Sequence, residues 1–258
     1  MSNPKFYAGD LEDNTYTMSL SENTSYPLAN LFNYILTDLW KSSANTNNQW
    51  LKIDLGTAKA CDFISIDQHN FNLMTTVTLQ VGTTDDGNFA VPINVIYGSY
   101  LLASGRVLVT FGTVTKRYWR ILFENTNSTT PQLGQVFIGS VFDSVHTQSF
   151  PYKAKGEEFL TTRRRSISGI ARGVQVFAGV LTFELKFEMM DDTFRTNWLS
   201  FHQKVRGGLC PFYFSDDGST YYYMLLDKDL DSVEIMRYQL NNLGPVKLVS
   251  QGVGQNPL

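Results

Sequence analysis

The sequence predicts a mostly β protein of two domains, a β-sandwich followed by a second β-sandwich or split barrel with one packed helix. Three observations carry that prediction. Short segments with apolar residues at every second position recur along the chain, the signature of strands with one dry and one wet face. Only 17% of the residues are charged while 14% are aromatic and 43% hydrophobic, a composition that supports a packed core and excludes wholesale disorder. The 258 residues exceed one ordinary domain of about 150, and the polar, aperiodic, Pro-bearing stretch VHTQSFPYKAKGEE interrupts the strand pattern near residue 150. The expected division is a first domain over 1–146, a linker over 147–156 and a second domain over 157–258.

In the first domain, WLKIDLG opens the strand pattern at Trp50, a turn at Gly56 follows, and CDFISIDQHN and TTVTLQVG continue it as far as Val81. RVLVTF, KRYWRILFE and QVFIGSVFDS add three segments of β-branched and aromatic residues bounded by Gly, Asn, Thr or Pro. In the second domain, ISGIARGVQVF precedes VLTFELKFEMM, where Leu181, Phe183, Leu185 and Phe187 share one strand face. One helix is expected over 191–206. Asp191 or Asp192 caps its start, Phe194, Trp198, Phe201 and Val205 follow helical spacing, and Gly207 and Gly208 stop it. LCPFYFSDDG, TYYYMLLD, SVEIMRYQL and VKLVSQG then read as four strands.

Charge and motif content exclude several function classes. A net charge of -3 and a pI near 5.6 lack the concentrated basic surface of a nucleic-acid binder. The charge is unevenly shared, net -4 up to His146 and +1 after it, so the two surfaces suit different neighbours. No stretch reaches the roughly 18 uninterrupted apolar residues of a spanning helix, so membrane insertion is not expected. The opening MSNPKFYAGDLEDN has no apolar signal-peptide core, which points to synthesis in a cytoplasm. Cys61 and Cys210 stand far apart without CxxC or histidine company and read as two buried thiols, with a disulfide as the alternative. His69, His146 and His202 sit in unrelated contexts, so neither a multi-histidine metal centre nor another cofactor is expected. Asp85, Asp86 and Gly87 mark a hairpin turn whose calcium-ligand spacing is incomplete. No GxSxG, HExxH or Cys-His-Asn arrangement occurs. Of the paired carboxylates, Glu157 and Glu158 fall at the linker and Asp191 and Asp192 start the helix, so no enzyme is expected.

Ala29 and Asn30 in a short turn are followed by Trp40, Lys41 and Ser42, by Trp50 opening a strand that ends in Asp54, Leu55 and Gly56, and by Trp119 and Arg120 in a late strand. In this ordered series, over most of 20–143, the chain resembles the discoidin-like, galactose-binding jelly roll. The resemblance implies an N-terminal jelly-roll β-sandwich whose tryptophans fill the core and whose loops, as in several members, contact sugars or lipid headgroups at one end. On that reading Asp38, Trp40, His69, Asn70 and Phe71 are the candidate glycan contacts. The residues also allow a structural role: a His-Asn pair just past a strand can cap its loop through side-chain to backbone hydrogen bonds. Arg120 can pair with a carboxylate such as Asp54.

Over about 157–250, a long strand, an Asp-started helix with buried aromatics and a Gly-Gly turn into Pro211, Phe212, Tyr213 and Phe214 resemble the β-sandwich-plus-helix domain of siphophage distal-tail and minor tail proteins. The pair His69 and Asn70 is similar to one in phage virion versions of the first module. Together these resemblances imply a virion protein of a tailed phage, assembled in the host cytoplasm. It would form a homo-oligomeric ring, a hexamer or trimer, joining the tail tube and other tail proteins to receptor-binding parts. Arg163, Arg164, Arg165 and Arg172 are then assembly contacts reaching carboxylates of a neighbouring subunit, and a solvated hairpin face is the other reading. Three or four arginines without a basic surround supply too few phosphate contacts for nucleic-acid specificity. The alternative function is a carbohydrate-binding module engaging host-surface glycans.

Overall fold

The computed structural model describes residues 3–9, 15–18, 23–43, 49–74, 76–82, 89, 91–95, 105–124, 129–144, 153–158, 161–165, 171–175, 180–227, 234–237 and 240–250. The fold is mostly β, as the alternation requires, and divides into two compact units, one of 7–141 and one combining Met1–Phe6 with Phe142–Pro257.

In chain order the first strands are β1 (Lys5–Gly9), β2 (Thr15–Met18), β3 (Trp40–Lys41), β4 (Gln49–Ile66), β5 (Thr76–Gly82), β6 (Val91–Val95), β7 (Val107–Glu124), β8 (Gln132–Leu133) and β9 (Val136–Asp143). β4 and β7, 18 residues each, frame the unit of 7–141. They pair antiparallel from Gln49↔Phe123 to Ile66↔Val107, with register breaks between Asp54 and Lys59 and between Cys61 and Phe63. β2 lies on the first part of β4, β9 on its last part, and β5 and β6 extend the order β9–β4–β7–β5–β6. Bulges in a long strand pair sharpen its bend and let one ribbon serve both faces of a sandwich. Leu51, Ile53, Val77, Leu79, Trp119, Ile121 and Phe123 are buried along it, each contributing roughly 1.5–3 kcal/mol of burial.

Two details of the sequence reading are corrected here. A turn is expected at Gly56, and RVLVTF and KRYWRILFE are expected as separate strands, yet β4 and β7 each run through. The extra residues at the first break, 55–58, lie in β4 opposite Arg117, those at the second, 111–113, lie in β7 opposite Asp62, and pairing resumes beyond each; Gly56 supplies a local φ of +72° while its N–H donates to Asp54 Oδ1 at 2.8 Å. Asp54 pairs with Arg117, not Arg120: the guanidinium Nε and Nη2 donate to the two carboxylate oxygens at 2.7 and 2.8 Å. That bidentate contact holds the Asp54 carboxyl below its usual range. Arg120 stands in register with Lys52 and Gln80, donates to Gln80 Oε1 and lies 4.5 Å over the Phe89 ring.

The remaining strands are β10 (Lys153–Glu158), β11 (Thr161–Arg165), β12 (Ala171–Gln175), β13 (Val180–Met190), β14 (Phe212–Ser215), β15 (Tyr222–Leu226), β16 (Glu234–Arg237) and β17 (Leu240–Ser250). They follow the order β10–β13–β17–β15–β14 with β16 also on β17, and β11 and β12 form a separate hairpin. Residues 153–156 of the expected linker belong to β10, which pairs with β13 from Lys153↔Glu184 to Glu158↔Val180. Backbone pairing with a neighbouring strand needs no apolar alternation, so this strand is silent in a hydrophobicity pattern. Glu157 and Glu158 therefore lie in a strand. Phe6, expected in the first domain, is buried among Phe142, Trp198, Phe201, Phe212 and Phe214 of the second unit.

Helix α1 (Asp192–Lys204) starts where Asp191 accepts the Phe194 N–H at 2.7 Å. Phe194, Trp198, Phe201 and Val205 are its buried face. Gly207 and Gly208, at φ +65° and +103°, turn the chain away, and a Cβ at Gly208 would meet the Leu226 carbonyl oxygen at 2.7 Å. Cys61 and Cys210 are buried free thiols.

Candidate functional site

The segment 67–74 leaves the end of β4 and crosses to Thr76, which pairs with Glu124 at the opposite end of β7. Phe71, along this crossing, packs on Phe123 with ring centroids 6.2 Å apart. Hydrogen bonds tie this crossing to Gly105 and to residues 130–135, and Gln135 carries the connection on to 30–35.

Buried polar side chains lock these segments together. Asn70 donates from Nδ2 to the Thr130 carbonyl and accepts the Gln132 N–H at Oδ1, both at 2.9 Å. Gln135, fully buried, donates from Nε2 to the Asn30 carbonyl (2.6 Å), Asn33 Oδ1 (3.0 Å) and the Ile35 carbonyl (3.1 Å), and its Oε1 accepts the Tyr34 N–H at 2.9 Å. The Gln135 carbonyl accepts the Asp67 N–H at 2.8 Å, and the Asp67 carbonyl accepts the Gly134 N–H at 2.7 Å. Position 134 is tight for a side chain: a Cβ would stand 3.0 Å from the Asp67 carbonyl oxygen, and that backbone would have to give by a few tenths of an ångström. The buried Asp67 carboxylate holds Arg106, Nε to Oδ1, at 2.6 Å. A buried charge survives only when paired in this way.

Above this frame lies a mixed rim. Asp38 accepts from Asn33 Nδ2 at 2.7 Å. The His69 ring stacks on Phe71 (4.1 Å, 13°) and its Nδ1 accepts the Phe71 N–H at 3.3 Å. Burial pulls His69 down to about 4, with the Arg106 backbone acting weakly the other way, so the imidazole is neutral at neutral pH. Tyr34, at φ +62°, leans on Phe137 with centroids 6.2 Å apart. Ile35 and Leu73 are 50% and 44% exposed, and they are the large apolar side chains that the described residues of this unit leave exposed.

Of the residues singled out in the sequence, Asp38 is part-buried beside Asn33, His69 packs on Phe71 with its Nε2 buried, and Asn70 braces the loop. Trp40 (2% exposed) and Phe71 (1%) are core residues around Phe123 and, as placed, present no face to a ligand. Sequence reasoning misses Tyr34, Ile35, Leu73, Asp67, Arg106 and Gln135. No local signal marks them: Ile35 is followed by Leu36 and Leu73 by Met74, so neither stands out in the sequence. Arg163, Arg164 and Arg165 lie in β11 and Arg172 in β12, with Arg164 in register with Arg172 and Arg163 with Gly173. Asp85, Asp86 and Gly87 lie outside the described residues. Among the described residues, no three His, Cys, Asp or Glu side chains are placed to hold a metal ion, and no helix is long and apolar enough to cross a membrane.

No protein-family model matches the sequence, and no curated protein does. The chain is similar to solved carbohydrate-binding modules with a galactose-binding-like, discoidin-type sandwich. One is chitosan-binding module 1 from a chitosanase/glucanase of Paenibacillus sp. IK-5, at 19% identity over 50% of this chain and 97% of that one, TM-score 0.41. Another is the CBM32-1 module of a family 31 glycoside hydrolase from Clostridium perfringens, at 11% identity over 52% and 98%, TM-score 0.43. A third is a GH29 fucosidase from Ruminococcus gnavus solved with fucose, at 14% identity, where 52% of this chain covers 27% of that one, TM-score 0.44.

These findings correct the expected place in a phage tail tip. The similar structures are carbohydrate-binding modules and parts of glycoside hydrolases, and no tail protein is shown among them. Nothing among the similar structures supports the expected subunit ring or the tail partners.

Proposed function

We propose that the unit of 7–141 is a non-catalytic carbohydrate-binding module that takes a glycan at its loop end. The observation that carries this reading is the pair of exposed aliphatic side chains, Ile35 and Leu73, in loops that buried Gln135 and Asn70 hold fixed. A sugar ring presents an apolar C–H face and a fringe of hydroxyls. Its binding is favoured by a water-exposed apolar surface beside polar groups that need no ordering on contact. Asp38 offers a carboxylate already oriented by Asn33, and carboxylate acceptors make strong bonds to hydroxyls.

The test is glycan-array screening of the full chain, followed by titration calorimetry. Chitotriose, galactosides and fucose are the first probes, since the similar solved proteins include a chitosan-binding module in complex with chitotriose and a fucosidase with fucose. Ile35→Asp and Leu73→Asp, both at exposed positions, are expected to weaken binding at least tenfold with the fold retained. A blank array with no calorimetric signal, or binding untouched by either variant, removes the proposal. Trp40→Ala is no test of it, because that ring belongs to the core.

A further inference from the structure

We infer that Gln135 is the positioning residue that sets the presentation of the tip 33–38, and through it glycan affinity, without touching the glycan; the affinity part rests on the reading above. A primary amide has two N–H donors and one carbonyl acceptor. The Tyr34 N–H must face an acceptor, which fixes Oε1 toward Tyr34 and turns Nε2 toward the Asn30 carbonyl, Asn33 Oδ1 and the Ile35 carbonyl, three acceptors that its two hydrogens serve with one of them shared. Every side-chain hydrogen bond of this fully buried residue therefore goes to one stretch, 30–35, which lies 100 to 105 residues away in the chain.

That stretch needs an external hold. Its 3-10 turn ends at Phe32, and Tyr34 sits in the left-handed region at φ +62°, unfavourable for a residue with a Cβ. Gln135 grips the chain on both sides of Tyr34. Two further bonds hang on that grip: the Ile35 N–H donates to Asn33 Oδ1 at 2.9 Å, and the Asp38 N–H donates to the Ile35 carbonyl at 3.0 Å. The exposed Ile35 side chain and the Asp38 carboxylate thus inherit their positions from one buried amide. Fixing a binding loop in advance lowers the ordering cost at the moment of contact.

The experiment compares wild type, Gln135→Met, which keeps length and loses the hydrogen bonds, Gln135→Glu, which keeps an acceptor for Tyr34 and loses the donors, and Asn33→Ala, which leaves Gln135 in place and shows what the bonds of Asn33 to Ile35 and Asp38 contribute by themselves. Amide exchange and calorimetry are read on each. Expected are at least tenfold faster exchange at Tyr34, Ile35 and Asp38 in Gln135→Met, a smaller acceleration in Asn33→Ala, and unchanged protection in β4 and β7. Glycan affinity is expected to fall about tenfold or more with a less favourable binding entropy, whereas Ile35→Asp loses enthalpy. Unchanged exchange at the three amides in Gln135→Met, or in Gln135→Glu where the Met variant does not fold, overturns the inference. If wild type binds no glycan the functional proposal fails separately, and exchange still decides what Gln135 holds.

Discussion

Acidification is predicted to weaken the fold around His69. The neutral ring uses Nδ1 to accept the Phe71 N–H while stacked on the Phe71 side chain. Protonation places a hydrogen on that nitrogen, so the bond is lost and a charge is left in a largely buried position. The ordinary imidazole value is 6.5 and burial lowers it to about 4 in the folded chain. The unfolded chain therefore binds more protons between these values, and stability rises with pH across that window. It is fully present above 6.5 and is lost as the pH falls toward 4. The upper limit is about 3 kcal/mol; screening of the partly exposed ring reduces the expected loss to about 1–2 kcal/mol. Urea denaturation at intervals between pH 7.5 and 4 measures it, with His69→Asn, which keeps a short acceptor and cannot titrate, as the reference. Asp217 belongs to a lower window. Burial pushes its carboxyl up, but bonds from Thr220 and Ser219 outweigh that and bring it to about 2, so its contribution is lost only below its ordinary 3.8. A His69 resonance titrating near 6.5, or equal acid sensitivity in wild type and His69→Asn, refutes the reasoning.

Asn70→Ala removes two side-chain to backbone bonds and leaves the Gln132 N–H and Thr130 carbonyl short of partners, which should cost roughly 2 kcal/mol in urea titrations. The exposed Asn72→Ala serves as a control with no measurable effect. Asp191→Ala strips the cap from the only helix among the described residues and should cost about 1 kcal/mol, read as a lowered calorimetric transition, with Asp191→Ser largely restoring it. Gly208→Ala drives a Cβ into the Leu226 carbonyl at positive φ and should cost on the order of 2 kcal/mol or more, whereas an added Cβ at Gly112 meets nothing within 4 Å and should leave stability within about 0.5 kcal/mol.

The parts of this fold that could be read from sequence are those set by neighbours along the chain. Alternation marks Leu51, Ile53, Val77 and Leu79 as one buried set, and helical spacing with an acidic cap and two glycines delimits α1 almost to the residue. β10 escaped because its sequence, KAKGEE, has no apolar face to alternate; its strand state comes from the edge of β13. The continuity of β4 through Gly56 escaped for a related reason. A glycine in an alternating run reads as a turn, whereas here residues 55–58 bulge out of β4 opposite Arg117 and the ladder to β7 resumes at Lys59.

The candidate site was half legible, and the division has a physical basis. Asp38, His69 and Asn70 are polar residues beside strand ends, where local rules apply, and Asn70 performs the capping that such rules allow. Trp40 and Phe71 misled because an aromatic ring in a loop segment serves equally well as a ligand platform or a plug, and only burial against Phe123 separates the two. Gln135 was beyond reach. Nothing in LGQVFIG distinguishes a glutamine facing water from one whose amide faces Asn30, Asn33, Tyr34 and Ile35, since its partners are supplied by a fold-dependent approach of segments a hundred residues apart. Contacts of that length are where a loop end acquires rigidity, because a short polar loop carrying a left-handed Tyr34 cannot stabilise its own conformation. The residues that give this end a fixed surface are therefore the ones whose role the linear pattern conceals, while the exposed side chains that would meet a glycan, Ile35 and Leu73, are ordinary residues made distinctive only by being held in place.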